Sequence, residues 1–293
     1  MNVLRTPDER FARLPDFPYA PRYAQLDGLR MHYVDEGPRD APATVLCLHG
    51  QPSWAYLYRK MIPVFTAAGL RVVAPDWFGF GRSDKPEDDA WYTFDKHRDS
   101  MLRFVEQLDL RNVLLVVQDW GGLLGLTLPL QQPERYTRLL VMNTGLGLGT
   151  VTEGFKQWRA YSNTQPDMAI GKLFLRGNPG MTAEEAAAYD APFPDVHYKA
   201  GVRRFPNLVP DSDDAPGAET SRRAARFWKE QWSGDSFMAI GMLDPVLGAP
   251  AMHSLRKGIR GCPEPLEVAD GGHFVQERGA PIAAAALRRF ALA

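Results

Sequence analysis

The stretch Val113-Leu114-Leu115-Val116-Val117-Gln118-Asp119-Trp120-Gly121-Gly122-Leu123-Leu124-Gly125-Leu126 decides how the rest of the chain is read. Five consecutive apolar residues, three of them β-branched, predict a strand buried on both faces, as in a parallel sheet. Two glycines follow, and then Leu123, Leu124, Leu126 and Leu128 predict a buried helix that ends near Pro129. A strand, a sharp glycine turn and a helix form the setting that displays a catalytic nucleophile, usually serine in G-x-S-x-G. Here that position holds Asp119. Aspartate is also a good helix N-cap, and this stretch alone leaves both readings open.

Partners elsewhere in the chain favour the nucleophile. On this architecture the order is nucleophile, acid, histidine. His273 follows the predicted last strand in Ala269-Asp270-Gly271-Gly272-His273-Phe274, where glycines permit a tight, ring-presenting turn. His49 also follows a strand, but in a loop suited to offering backbone N–H groups. His32, His97, His197 and His253 have no comparable position and are expected to be structural or superficial. Asp244, just past the strand ending at Gly241, is preferred as the acid over Asp270, which is too close to His273 in sequence to cross the site.

A serine nucleophile needs a base at the moment of attack, whereas a carboxylate with a pKa of about 3.9 is already anionic at neutral pH. It suits displacement of a leaving group from saturated carbon, which leaves an alkyl ester on the protein. His273 would then activate water against the ester while Asp244 stabilises the imidazolium. Backbone N–H groups after Asp119 and around Gln51 are placed to hold the ester's carbonyl oxygen. The indole N–H of Trp120 donates but can be neither acid nor base, which suits a halide leaving group. Trp158 in the region after Gly147 is a candidate second donor; packing is the alternative role for both tryptophans.

Composition sets the bounds. The 293 residues make one large domain or one domain with an insertion, 45% hydrophobic and 24% charged. A net charge of −1 gives no electrostatic case for nucleic acid or an anionic membrane as partner. Cys47 and Cys262 imply no disulfide framework, and the six histidines lack metal-ligand spacing, so neither metal nor cofactor is expected. Met1 to Pro18 lacks an apolar signal core and no apolar run nears the ~20 residues of a membrane span, so a cytoplasmic monomer is expected.

Strands and helices alternate along the first half. A hairpin is predicted for Tyr23 to Leu26 and Leu29 to Val34 around Asp27-Gly28, with strands at 44–48, 71–76 and 139–143 and helices near 56–68 and 94–108. Residues 1 to 22 are expected to lie irregularly over the core. From about Gly147 to Pro216 no strand is predicted, only short helical patches such as Thr182 to Tyr189 between prolines, which reads as a helical lid. Order resumes with a helix at 219–232, a strand at 237–241, a helix at 252–259, a strand at 265–269 and a final helix to Phe290. The expected division is core 1–146, helical cap 147–216 and core 217–293, with a mostly parallel sheet flanked by helices.

With these residues in view, the sequence resembles the haloalkane dehalogenases of the α/β-hydrolase fold, and within them the subfamily typified by the Xanthobacter 1,2-dichloroethane enzyme. The resemblance covers nearly the whole chain. It rests on Leu48-His49-Gly50-Gln51-Pro52-Ser53-Trp54, Phe78-Gly79-Phe80-Gly81-Arg82-Ser83-Asp84-Lys85-Pro86, Gln118-Asp119-Trp120-Gly121-Gly122, Phe237-Met238-Ala239-Ile240-Gly241-Met242 and Gly272-His273-Phe274-Val275-Gln276-Glu277. It implies nucleophile Asp119, base His273 and acid Asp244, halide held by Trp120 and Trp158, and an oxyanion hole from the N–H groups of Gln51 and Trp120. It further implies hydrolysis of short haloalkanes to alcohol and halide. The subfamily carries glutamate where Gln51 stands, and the lid differs between Tyr161 and Leu175, so substrate range is expected to differ.

Three other readings compete. An epoxide hydrolase would share the aspartate but use lid tyrosines, for which Tyr161, Tyr189 and Tyr198 are available; Trp120 argues against it. A fluoroacetate-type dehalogenase would carry arginine after the nucleophile. A non-catalytic relative that binds a small apolar ligand would be expected to lack part of the triad, which is complete here.

Overall fold

The computed structural model describes residues 1–292. Its strands are β1 (Val3–Leu4), β2 (Arg22–Leu26), β3 (Leu29–Glu36), β4 (Thr44–Leu48), β5 (Arg71–Pro75), β6 (Lys85–Pro86), β7 (Val113–Gln118), β8 (Tyr136–Met142), β9 (Asp235–Gly241) and β10 (Leu266–Val268). The α-helices are α1 (Ile62–Ala67), α2 (Phe94–Gln107), α3 (Trp120–Gly125), α4 (Glu153–Asn163), α5 (Ile170–Gly177), α6 (Ala183–Asp190), α7 (Ala200–Arg204), α8 (Ala218–Arg226), α9 (Ala249–Lys257) and α10 (Gly279–Arg289).

Eight strands form one sheet in the order β10-β9-β8-β7-β4-β5-β3-β2. All neighbours from β10 to β5 are parallel, and β3 alone runs against the others. The hairpin between β2 and β3 turns on Asp27 and Gly28, both with positive φ, in the register Leu26↔Leu29. The central strands β4, β5 and β7 are buried along their whole length, the condition that selects continuous apolar runs over alternation. Cys47 lies in this core as a free thiol.

Two expectations need correction. The N-terminal segment is not wholly irregular: β1 pairs antiparallel with β6, and a 3₁₀ turn at Asp8–Phe11 buries Phe11 against Trp54. The helix expected from 56 to 68 is split into a 3₁₀ turn at Ala55–Tyr58 and α1, which begins at Ile62 with Pro63 in its first turn. Proline fixes φ and lacks an N–H, so it starts a helix and cannot continue one.

Between Met142 and Asp235 no strand occurs among the described residues; α4 to α8 fill that span. α6 is opened by a capping box, with Thr182 and Glu185 exchanging backbone and side-chain bonds. The helical segment is fastened to the sheet region by Trp54 Nε1 donating to Ala188 O, Arg10 Nε to Ala191 O, and Gln51 Nε2 to Val202 O. Buried Arg59 clamps Glu277 through two 2.7 Å bonds and reaches Glu185 on α6, while Tyr189 also donates to Glu277. None of the helices among the described residues is long and apolar enough to cross a membrane.

Candidate active site

Asp119 occupies the sharp turn between β7 and α3. Its backbone has φ 50° and ψ −123°, a sparsely populated conformation for a residue with a side chain, which costs roughly 1–3 kcal/mol. Hydrogen bonds from near and far in the chain hold it there. The Asp119 N–H donates to Asn143 O at 3.0 Å, the Thr144 hydroxyl donates to Asp119 O at 2.6 Å, and Gly122 N and Leu123 N donate to the same carbonyl. Glycine is required where this turn meets its neighbours. A Cβ on Gly50 would lie 2.4 Å from Asp119 Oδ1, and one on Gly121 would lie 1.9 Å from Leu48 O.

The helix-cap alternative for Asp119 is not realised. Its side chain makes no capping bond to α3; instead Oδ1 accepts the backbone N–H of Gln51 at 2.8 Å. The other oxygen, Oδ2, faces His273 Nε2 at 3.4 Å. His273 Nδ1 lies 2.8 Å from Asp244 Oδ2. The C-terminal ends of β7 and β9 and the loop after β10 therefore bring Asp119, Asp244 and His273 into one line.

Asp244 is fixed on both oxygens, with Val246 N–H donating to Oδ1 at 2.7 Å and Asn143 Nδ2 to Oδ2 at 2.9 Å. Burial opposes ionisation of Asp244, but His273 and the N–H groups of Val246 and Leu247 overcome it and hold its pKa below the usual carboxylate range. Asp270 takes no part: it is exposed and bonded to Arg278. Burial pulls the His273 imidazole toward its neutral form. Asp244 and Asp119 outweigh that effect and push its pKa up to about 10.

His49 stands apart from this line. Its Nδ1 lies 2.9 Å from Gly50 O and its Nε2 accepts Trp77 N–H, so both ring nitrogens are engaged in holding the loop. Burial lowers its pKa. Gln51, at the end of that loop, supplies the one backbone donor that reaches the Asp119 carboxylate; Trp120 N–H forms no such bond among the described residues.

The seven tryptophans divide by their indole N–H groups. Those of Trp54, Trp77, Trp228 and Trp232 donate to protein acceptors, and those of Trp91, Trp120 and Trp158 have none among the described residues. Trp120 is only 2% exposed, yet its N–H has no acceptor among the described residues, and its ring leans on Phe205 at 4.6 Å between centroids. It borders a cavity of about 300 Å³ that begins at Asp119. An indole donor without a protein acceptor, on a residue that lines a cavity, is a place for an anion or acceptor to sit. Trp158 lies on α4, partly buried and tilted against Tyr161 at 6.0 Å between centroids; Phe155, one turn earlier, lines the cavity and Trp158 does not.

Sequence reasoning assigned no role to two residues. Gln118 is fully buried at the end of β7; its Nε2 donates to His273 O at 2.9 Å and lies 3.2 Å from His273 Nε2. Asn143 follows β8 directly with φ 21° and ties Gly241, Leu247 and Asp244 together. A polar residue closing an apolar strand at the sheet's C-terminal edge is the signal that marks both.

The strand order, the turn at Asp119 and the helical insertion agree with the comparison by sequence, in which the α/β hydrolase fold family matches residues 43–280. The chain is an α/β hydrolase. It is 45% identical over 289 residues to the haloalkane dehalogenase of Psychrobacter cryohalolentis, covering 94% of each chain. It is 42% identical over 292 residues to that of Mycolicibacterium paratuberculosis, covering 96% of this chain and 95% of that one. The solved haloalkane dehalogenase DpaA of Paraglaciecola agarilytica NO2 superposes with a TM-score of 0.96 at 51% identity, covering 98% of each chain. The chain belongs to the haloalkane dehalogenases, hydrolases that act on carbon–halide bonds.

Proposed function

We propose that this protein hydrolyses haloalkanes through a covalent ester on Asp119, with His273 as base, Asp244 as its orienting acid, and Trp120 and Trp158 as halide donors. The observation that carries the reading is the line from Gln51 N–H through both Asp119 oxygens and His273 to Asp244. Oδ1, already bonded to the Gln51 N–H, becomes the ester carbonyl oxygen, and Oδ2 is the attacking atom. As the Oδ2–carbon bond forms, the carbon–halogen bond breaks and the halide leaves with its electron pair toward the Trp120 N–H. That donor solvates an anion without giving up a proton.

Esterification also changes His273. It removes the Asp119 charge, one of the two influences that hold the imidazole protonated, so the base is released when the ester needs water. His273 Nε2 takes a proton from water as the oxygen adds to the ester carbon. The N–H groups of Gln51 and Trp120 hold the resulting oxyanion, which collapses to free the alcohol and restore Asp119. The balance is haloalkane plus water giving alcohol, halide and a proton.

For Trp158, the support is an indole N–H with no protein acceptor among the described residues, on the same helix as cavity-lining Phe155. Turning from Tyr161 into the cavity is part of the proposal. Residues 147–216 act as the cap, with core 1–146 and 217–293 beneath it; the Arg59 network and the Gln51–Val202 bond support that division. We propose a cytoplasmic monomer, the unpaired Cys47 and Cys262 being suited to a reducing compartment. Because DpaA is a tetramer, light scattering decides between the two assemblies.

The test is halide release from 1-bromobutane beside Asp119→Ala and His273→Phe. The wild type is expected to release halide, Asp119→Ala none, and His273→Phe a single equivalent with the butyl group retained on the protein by mass. Diol from styrene oxide without halide from bromobutane would instead assign an epoxide hydrolase. Commitment of the Tyr189 hydroxyl to Glu277 removes one of the three tyrosines that such an enzyme could use. Binding without either reaction would revive the non-catalytic reading.

A further inference from the structure

We infer that Phe174, on helix α5 and outside the catalytic line, is a positioning residue for ester hydrolysis: held between Tyr189 and Phe274, it keeps the His273 ring at the angle from which that ring takes a proton from water. The inference rests on the proposed function, since it takes His273 to act on the Asp119 ester.

The segment that carries His273 has little of its own to fix it. Gly271 and Gly272 precede the histidine, and glycine leaves the backbone freedom that a side chain would remove. Leu243 N–H donates to Gly271 O at 2.8 Å, and Gln118 Nε2 to His273 O at 2.9 Å. The imidazole itself faces Asp244 at Nδ1 and Asp119 at Nε2. Esterification takes the charge from Asp119, so in the step that follows the ring depends on Asp244 and on what packs against it. Attack by Asp119 on the haloalkane does not use His273; hydrolysis does.

That packing comes from α5 and α6. Phe274 meets the His273 ring edge-on, with 5.0 Å between centroids and 79° between planes. Phe274 is stacked on Phe174 of α5 at 3.9 Å and 23°, and Phe174 on Tyr189 of α6 at 3.5 Å and 10°. Two near-parallel rings at such distances cannot share one face of Phe174, so it lies between them. The far end of the stack is anchored. The fully buried Tyr189 accepts an Arg59 N–H at 3.2 Å and donates to Glu277, whose carboxylate Arg59 also holds. Glu277 lies on the 3₁₀ turn Val275–Arg278, just past His273, so the ring stack and the ion pair both end on one segment. The end of α5 closes on it too: a Cβ on Gly272 would lie 3.0 Å from Gly177 O. Neither Phe174 nor Tyr189 borders the cavity at Asp119, which separates this role from substrate contact.

The experiment follows single turnovers of 1-bromobutane by rapid quench, with bromide reporting ester formation and butanol its hydrolysis. Phe174→Leu and Phe174→Met are both made, so that either folded protein decides, and a full bromide burst shows that the site is intact. Each is expected to form the ester at close to the wild-type rate, to hydrolyse it about 10- to 100-fold more slowly, as a base displaced by ~1 Å would, and to accumulate the butyl adduct by mass. Phe174→Tyr, which keeps a ring in the stack, should restore hydrolysis. Tyr189→Phe keeps its ring but loses the hydroxyl bond to Glu277; it should lower Tm and leave both steps near wild type, since the stack survives. Phe174 variants that slow both steps alike or neither, or a Tyr189→Phe protein that hydrolyses the ester as slowly as they do, overturn the inference while leaving the dehalogenase reading intact. No bromide from folded wild type overturns both.

Discussion

The amide nitrogen of Gln118 lies 3.2 Å from His273 Nε2 and at the same time donates to the backbone carbonyl of His273 at 2.9 Å. The carbonyl bond fixes the amide with its NH₂ toward the ring, so Gln118 offers a donor to the nitrogen that, in the proposed mechanism, accepts a proton from water. A donor facing Nε2 stabilises the neutral ring with its proton on Nδ1, opposing the two carboxylates that favour the charged ring. In the proposed mechanism Gln118 therefore positions the base and tunes it.

Gln118→Leu should raise the His273 pKa further and move the rising limb of the pH profile for ester hydrolysis to higher pH. At neutral pH, a loss of about tenfold in that step corresponds to a one-unit rise. Single-turnover bromide release, which reports alkylation, should change far less. An unaltered pH profile would reduce Gln118 to packing.

Asp119→Asn removes one of the two charges that hold the imidazole protonated. Its His273 pKa, followed by NMR, should fall from about 10 by ~1–3 units. The sign carries into stability. A group whose pKa is raised on folding contributes fully below its unfolded value near 6.5, and loses that contribution as pH rises through about 10. Wild-type protein should thus lose stability relative to Asp119→Asn between those limits, as read from denaturant midpoints across pH.

Trp120→Phe keeps the ring that packs on Phe205 and deletes the N–H. Loss of one hydrogen bond to a charged partner is worth ~1.5–3 kcal/mol, so kcat/KM should drop by about 10- to 100-fold and bromide affinity with it. Trp158→Phe distinguishes the second donor from a packing residue. Quenching of tryptophan fluorescence by bromide is the direct readout, and bromide binding at wild-type strength in Trp158→Phe would remove that residue from the halide site.

Glu277→Gln leaves the Arg59 guanidinium buried and short of its compensating charge. Breaking a buried ion pair from one side costs about 3–5 kcal/mol, which lowers Tm by roughly 6–10 °C or more in a protein of this size. Glu185→Gln, at the partly exposed end of the same network, should cost about 1 kcal/mol. Equal effects from both in thermal unfolding would show that the cap and core are not held by the buried half of the network.

The sequence by itself determined most of the elements and the position of the carboxylate from which the proposed chemistry starts. Apolar runs such as Thr44–Leu48 and Val113–Val117 are strands because residues buried on both faces must all be apolar, and Asp27-Gly28 is a hairpin because those residues tolerate positive φ. Asp119 stood out because a carboxylate replaced the usual residue at a strand–glycine–helix turn. Only the tertiary structure decided what surrounds it. Whether Asp119 caps α3 or faces Gln51 depends on a loop 68 residues away, and the contact between Gln118 and His273 spans 155 residues. Local periodicity carries no information about such distances, because they are set when the sheet brings several strand ends to one edge. That Asp244 rather than Asp270 meets His273 arises in the same way, from which side chains the packed sheet leaves facing one another.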